Sequence, residues 1–410
     1  MEWRKHIVRN FIARVCYLSS TFLLNIFFSR LLGASGSGDL FYVINNFSII
    51  TLIAGASLES GMTYFLAKKE IGENELVSTS FIWSLVAGIL SATVIFFYYD
   101  RFFPSSDYIR LSYSIFFIAG NLLTTYFSGL FFAKKEFLLP QLIPAIVNMA
   151  ILVFCVILAM ENGGSSISWI VGIYFAGFII SGILMGVLFH IRFSLQFLGQ
   201  RISFHSFKKL ARYSSFALIT NIVAFLAYRI DYWILNSFPS STITEDALGN
   251  YIQVSKLVQL FLFVPTVIAT IVFPASASAS GDESGFNHSF KKMARQVLLL
   301  NAIACIVLII AGNGLFVFIY GRSFSLMYSC FLFSIPAILS ITIVRIVASY
   351  FAGTNRIRYN FFGSLIALFI ITALNFLLIP LMGINGSALA DSAGYLAYMI
   401  FLLSVLKYKG

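Results

Sequence analysis

"LAYRIDYWIL", residues 226–235, stands near the end of a stretch, 211–236, that is otherwise almost wholly apolar, and it carries Arg229 and Asp231. A run of this length crosses a ~30 Å hydrocarbon core as a helix. A charge at that depth costs at least ~2.5–3.5 kcal/mol. Residues two apart on a helix do not face one another, so the two charges are not expected to bond directly. At about 100° per residue, Ser214, Asn221, Tyr228 and Tyr232 fall on one narrow stripe, and Arg229 and Asp231 flank it. A polar face on a membrane helix looks into the bundle or into water. The stretch reads as a spanning helix with one wet side.

The rest of the chain repeats the pattern. Of its 410 residues 59% are hydrophobic and only 10% charged, where a soluble domain carries about a quarter charged residues. Twelve spans are expected, at 7–32, 40–66, 77–99, 108–133, 138–160, 167–190, 211–236, 248–274, 294–320, 324–352, 358–381 and 385–406. None shows the ten-residue alternation of an outer-membrane barrel, so the chain reads as an all-α integral membrane protein. Counted outward from the N-terminus, most of the 27 Lys and Arg fall in segments on one side, and Arg30, Arg101, Arg110 and Arg322 on the other. By the positive-inside rule both termini are cytoplasmic. The net charge of +11 then reads as a topology signal and an attraction to anionic membrane lipids, with no need for nucleic acid. The first span is too long for a signal-peptide core and reads as a retained helix. Cys16, Cys155, Cys305 and Cys330 fall within spans without ligand spacing, and the four histidines are far apart. No metal or other cofactor is expected.

The longest inner loop, 190–210, is basic and interleaved with aromatics. It fits a plain linker or an amphipathic segment on the inner interface. It divides the chain into an N-terminal six-helix lobe with its loop (1–198) and a C-terminal six-helix lobe (199–410). The halves echo each other. "GDLFYV" (38–43) opens span 2 as "GNYIQV" (249–254) opens span 8, and "FFAKKEF" (131–137) closes span 4 as "YFAGTNR" (350–356) closes span 10. Six spans per half give parallel repeats, a transporter plan with the site in a central cavity between lobes.

Polar stripes recur where such a cavity would need them. Arg14 and Asn25 continue a stripe on span 1, Glu59 on span 2, Gln253, Lys256 and Gln259 on span 8, and Arg345 on span 10. The expected lumen cations are Arg14, Arg229, Lys256 and Arg345, and the expected polar lining is Asn25, Asn221, Tyr228, Gln253 and Gln259. Glu59, Asp231 and Asp391 would pair with the cations or exchange an ion. Snorkelling to either surface is the plainer reading of each cation, but independent snorkelling does not predict charges that continue polar stripes. Pro265, Pro336, Gly55 and Gly61 mark kinks, as hinges or as bends fixed by packing.

Over "SRLLGASGSGDLFYVINNFSIITLIAGASLESGMTYFLAKKE" (29–70), the chain resembles the polysaccharide and O-antigen flippases of the multidrug/oligosaccharidyl-lipid/polysaccharide exporter superfamily. The pieces are Arg30–Gly33, Gly38, Glu59 with Gly61, Asp231, "YIQVSK" (251–256), "VFP" (272–274) and "MGINGSALA" (382–390). Asp391 departs from the pattern, since such proteins carry a small or hydroxyl residue there. The resemblance implies a flippase of the bacterial inner membrane, carrying an undecaprenyl-pyrophosphate-linked oligosaccharide from the cytoplasmic to the periplasmic leaflet. H⁺ or Na⁺ would be the coupling ion, and polysaccharide-assembly proteins possible partners. The alternatives are a cation-coupled multidrug exporter of the same superfamily and a membrane polysaccharide polymerase. The second would need large extramembrane loops with catalytic groups, and here those loops are short.

Overall fold

In lipid each backbone group must find its partner within its own segment, which leaves helix as the solution for runs this apolar. The computed structural model describes residues 2–98, 108–162, 167–193, 203–278 and 283–409, and these are helical almost throughout. Arg101, most of the 161–166 turn and residues 194–202 of the long basic loop lie outside the described residues. In chain order the helices are α1 (Glu2–Gly55), α2 (Leu58–Ala67), α3 (Glu73–Phe97), α4 (Ser112–Ala133), α5 (Leu139–Asn162), α6 (Ile167–Phe193) and α7 (Phe204–Ser237). They continue as α8 (Glu245–Phe261), α9 (Phe263–Ser278), α10 (Glu283–Tyr320), α11 (Met327–Gly353), α12 (Arg358–Met382) and α13 (Ile384–Lys409).

Among the described residues eleven stretches are long and apolar enough to cross a membrane, and the chain is a multi-pass membrane protein. Eleven accounts for the expected twelve because the first stretch, Phe11–Gly55, runs 45 residues. That is about twice what one crossing needs. It is broken at Gly33, whose φ of 70° and ψ of −172° are not helical. The expected continuous span at 40–66 is corrected. It is interrupted at Ala56 and Ser57, both left-handed with φ of 49° and 50°.

A further break falls at Gly312 in α10, with φ 66° and ψ −171°. Three other interruptions are repaired from neighbouring helices. At the 56–57 break the freed carbonyl of Ala54 accepts Trp83 Nε1 at 3.0 Å, and that of Gly55 accepts the Tyr126 hydroxyl at 2.9 Å. Asn221 Nδ2 donates to Ser57 Oγ at 3.1 Å. Pro265 has no N–H for the carbonyl of Phe261, four residues back. Asn301 Nδ2 supplies the missing donor at 3.1 Å and also reaches Thr342 Oγ1 at 2.7 Å. At Pro336 the ladder of α11 is spliced by Ser392 of α13. The N–H of Ala337 donates to Ser392 Oγ at 3.2 Å, and that hydroxyl donates to the carbonyl of Phe333 at 2.6 Å.

The internal echo has a structural counterpart. "FFAKKEF" ends α4 with Lys135 at φ 62°, Lys135 N–H on Phe132 O and Glu136 N–H on Phe131 O, both at 2.9 Å. "YFAGTNR" ends α11 with Asn355 at φ 59°, and the equivalent bonds run from Asn355 to Ala352 and from Arg356 to Phe351. Both are Schellman caps. The opening glycines of the other echo meet: a Cβ on Gly38 would lie 2.9 Å from Gly249 Cα.

The chain forms two compact units. Unit 1 is Met1–Phe28 with Val43–Ile222, and unit 2 is Ser29–Tyr42 with Val223–Gly410. The sequence placed the division at 198/199. Residues 203–222 group with unit 1 because α7 begins against α2, with Gly61 tight on Ser214 and Leu210. The segment 29–42 groups with unit 2 because its groups are capped there. Ser35 donates its N–H to Asp246 at 2.9 Å and its hydroxyl to Glu245 at 2.8 Å. Arg30 donates to the carbonyls of Phe318 and Ile319, and the N–H of Ala34 to Ser323 Oγ at 3.2 Å. The core of unit 1 is a ladder of rings through Phe47, Phe117 and Phe175. That of unit 2 gathers Val347, Phe351, Ile371 and Tyr395.

Candidate functional site

The polar turn of α7 points its side chains three ways, as a helix must. Asp231 goes inward and is 1% exposed. Its Oδ2 accepts the hydroxyl of Tyr251 on α8, and the same hydroxyl lies 2.8 Å from Asp391 Oδ2 on α13. One phenol carries one proton and cannot serve two carboxylates fully at once. One more proton on a carboxyl, or a small cation beside it, would complete the bridge. Asp231 Oδ1 is buried and has no hydrogen-bond partner among the described residues.

Arg229 turns away from Asp231. It donates to the hydroxyl of Tyr232 and to Ser255 Oγ at 2.9 Å, with its guanidinium 4.7 Å from the centre of the Tyr232 ring. Arg345 lies 5.2 Å from the centre of the Tyr228 ring, and its Nε is buried with no hydrogen-bond partner among the described residues. Lys256 lies over the ring of Phe41. Among the described residues Arg14, Arg229 and Arg345 make no ion pair within 4.0 Å. Arg229 is solvated by an aromatic face and hydroxyls and Arg345 by an aromatic face, instead of by carboxylates, which leaves their charge uncompensated at short range.

A cavity of about 30 Å³ opens beside the bridge, lined among others by Tyr228, Tyr251, Ser255, Gln259, Asp391 and Tyr395. A water needs roughly 10–15 Å³ on this measure, so the space suits one or two waters or a small cation. It does not admit a sugar.

Unit 2 thus gathers Tyr228, Arg229, Asp231, Gln259, Arg345 and Asp391 around one polar centre, with Lys256 one turn along α8. Gln253, expected in the polar lining, is fully buried. Arg14, Asn25, Glu59 and Asn221 belong to unit 1. There Asn25 is buried, Arg14 half-buried and Asn221 exposed, and Glu59 is half-buried in the first turn of α2, directly after the break. The sequence reading assigned no role to Tyr251, Ser255 or Tyr395. Tyr251, Ser255 and Gln259 follow one another at intervals of four, as do Asp391 and Tyr395, and that spacing was the available signal.

The family model described as polysaccharide biosynthesis protein matches residues 10–280. The chain belongs to this family. No curated protein matches this family member in sequence. Its fold has solved counterparts. The lipid II flippase MurJ, in an inward closed conformation, is 15% identical with a TM-score of 0.77, over 98% of this chain and 87% of that one. A MOP superfamily transporter from Pyrococcus furiosus, described as having a binding pocket of reversed polarity, is 12% identical with a TM-score of 0.70, over 98% and 96%. An outward-facing multidrug resistance MATE family transporter of the same superfamily is 13% identical with a TM-score of 0.69, over 98% and 95%. This polysaccharide biosynthesis family member therefore has the fold of MOP superfamily transporters, in place of the outer-membrane barrel or soluble folds its composition argued against.

Proposed function

We propose that this protein is a transporter that flips an undecaprenyl-pyrophosphate-linked oligosaccharide, an O-antigen or capsule repeat unit, across the bacterial inner membrane by alternating access. Both termini are cytoplasmic in this reading. The observation that carries it is the uncompensated charge of Arg14, Arg229 and Arg345 within helices of a polysaccharide biosynthesis family member. Charge retained at such cost suits an anionic cargo, and guanidinium groups bond phosphate oxygens in pairs. Lys256 adds a fourth cation, and Asn25, Asn221, Tyr228, Gln253 and Gln259 suit sugar hydroxyls. An inside-negative potential favours outward movement of each negative charge by ~2.3 kcal/mol per 100 mV.

The Asp231–Tyr251–Asp391 bridge takes the coupling role, with H⁺ or Na⁺ as the ion, because its cavity holds a water or a small cation and nothing larger. Glu59 in unit 1 is the third acid of the coupling set. The buried acids also favour a second reading, a cation-coupled drug exporter, against which Arg14, Arg229 and Arg345 stand.

The test is complementation of a strain lacking the protein. Arg229→Ala and Arg345→Ala, expressed at the parent level, leave surface polysaccharide strongly reduced, lipid-linked units accumulating on the cytoplasmic side, and drug susceptibility unchanged. Normal surface polysaccharide in the double variant overturns the reading. Normal polysaccharide with raised drug susceptibility replaces it with the exporter.

A further inference from the structure

The transport reading leaves unused a cluster at the end of unit 1 where α2 stops and α7 starts. The last turn of α2 and the residues after it supply Tyr64, Phe65, Lys68 and Lys69, and the first turns of α7 bring Lys208, Lys209, Arg212 and Tyr213. Tyr64 stacks on Tyr213 with ring centres 4.5 Å apart and planes at 20°. Phe65 meets Tyr213 edge-on at 5.4 Å. Lys68 Nζ lies 4.6 Å from the centre of Tyr64, and Lys209 Nζ 4.7 Å from that of Phe65. A continuous strip results, cation, ring, ring, ring, cation, and it is seated firmly. A Cβ on Gly61 would come within 3.0 Å of Ser214 Oγ and 3.1 Å of Leu210, so the two helices meet with no slack.

The charges at this end do not balance. Glu70 holds Lys209 at 2.7 Å, Glu73 holds Lys134, and Glu136 holds Arg192 at 3.7 Å. Glu75 accepts the N–H of Ser203 at 3.0 Å. Among the described residues, Lys68, Lys69, Lys208 and Arg212 are exposed and have no carboxylate within 4.0 Å. Scattered positive-inside lysines need no such arrangement. Here a stacked tyrosine pair stands at a span end, where tyrosine rings sit at headgroup depth, and the turns that carry it bring four exposed cations with no carboxylate within 4.0 Å. Phosphate is the anion that fits, taken in paired bonds by the guanidinium and as a point charge by the ammonium groups.

We propose that this cluster is a binding site for the phosphate group of a lipid headgroup. The phosphodiester of a bulk anionic lipid and the pyrophosphate of a polyprenyl lipid share that chemistry. The site stands whether or not the transport reading does, because its readout is lipid retention and not flipping.

The test measures lipid bound to the full-length protein in detergent by native mass spectrometry, with phosphatidylglycerol and phosphatidylcholine as probes. Each cation near such a surface is worth about fivefold in affinity. Lys68→Gln with Arg212→Gln therefore weakens phosphatidylglycerol binding about 25-fold and leaves phosphatidylcholine unchanged. Lys135→Gln, outside the cluster, changes neither. If the double variant loses its thermal unfolding transition, Lys208→Gln replaces it, with about a fivefold loss expected. Undecaprenyl pyrophosphate that displaces phosphatidylglycerol at equal or lower concentration identifies the polyprenyl lipid as the occupant. Failure to displace identifies the bulk lipid. Unchanged phosphatidylglycerol affinity in the folded variants overturns the site.

Discussion

At the scale of single residues, the shared hydroxyl of Tyr251 is the most consequential contact in unit 2. Tyr251→Phe removes the bridging proton and leaves two carboxylates facing each other across an apolar edge. Ion-driven transport in proteoliposomes is expected to fall at least about tenfold, an effect on the order of one lost charge-assisted bond. Asp391→Asn is expected to give the same loss and to abolish the dependence on the driving ion. Equal rates for the variants and parent across pH and Na⁺ series refute the coupling role. A second prediction concerns stability alone. Lys135 occupies a left-handed cap position, φ 62°, that its echo fills with Asn355. Left-handed backbone costs a side-chain-bearing residue about 1–2 kcal/mol, and asparagine less. Lys135→Asn is expected to stabilise the protein by up to about 1 kcal/mol, read as a rise in thermal unfolding midpoint. A fall in the midpoint refutes it.

At the scale of elements, the spanning helices are less regular than their apolar runs suggest, and the breaks at Ala56–Ser57, Pro265 and Pro336 each have a named donor. Asn301 stands in for the N–H that Pro265 lacks, so Asn301→Leu leaves the Phe261 carbonyl and the Thr342 hydroxyl short of a partner. A buried group left unsatisfied costs about 1–3 kcal/mol. The variant is expected to lose that much stability, and Pro265→Ala to restore part of it by returning the missing donor. Additive effects in the double variant refute the pairing. Ser392 plays a like part at Pro336, and it follows Asp391 directly in α13. The helix that carries Asp391, the acid proposed for coupling, therefore also splices the bend in α11. Proline positions were legible in the sequence. The residues that repair the bends were not, because Asn301 and Ser392 are remote in sequence from the prolines they serve.

At the scale of the whole molecule, the chain leaves unit 1 at Phe28, spends residues 29–42 on unit 2 and returns at Val43. That excursion is held by helix-end groups capped in trans and by two glycines in near contact. A Cβ on Gly249 would fall 1.9 Å from the carbonyl oxygen of Ala34, a backbone atom that cannot move aside alone. Gly249→Val is expected to unseat the 29–42 segment. In a Ser35→Cys, Asp246→Cys background, a disulfide is expected to form with Gly249, and to form at least about tenfold more slowly with valine, in proportion to the lost close approach. Undiminished cross-linking refutes the seam. The sequence by itself determined the class and located the apolar stretches. Length and hydrophobicity leave a chain in lipid few options, and the glycine and cap motifs of the two halves repeat openly. It also singled out Arg229, Asp231, Lys256, Arg345 and Asp391 as charges within apolar spans. Only the tertiary structure decided which of these meet. Helical periodicity gives the direction of a side chain from its own axis but not the neighbour that lies there. For that reason the Tyr251 bridge, the ring-solvated arginines, the break at Ala56–Ser57 and the seating of 29–42 on unit 2 emerged only from the packed helices.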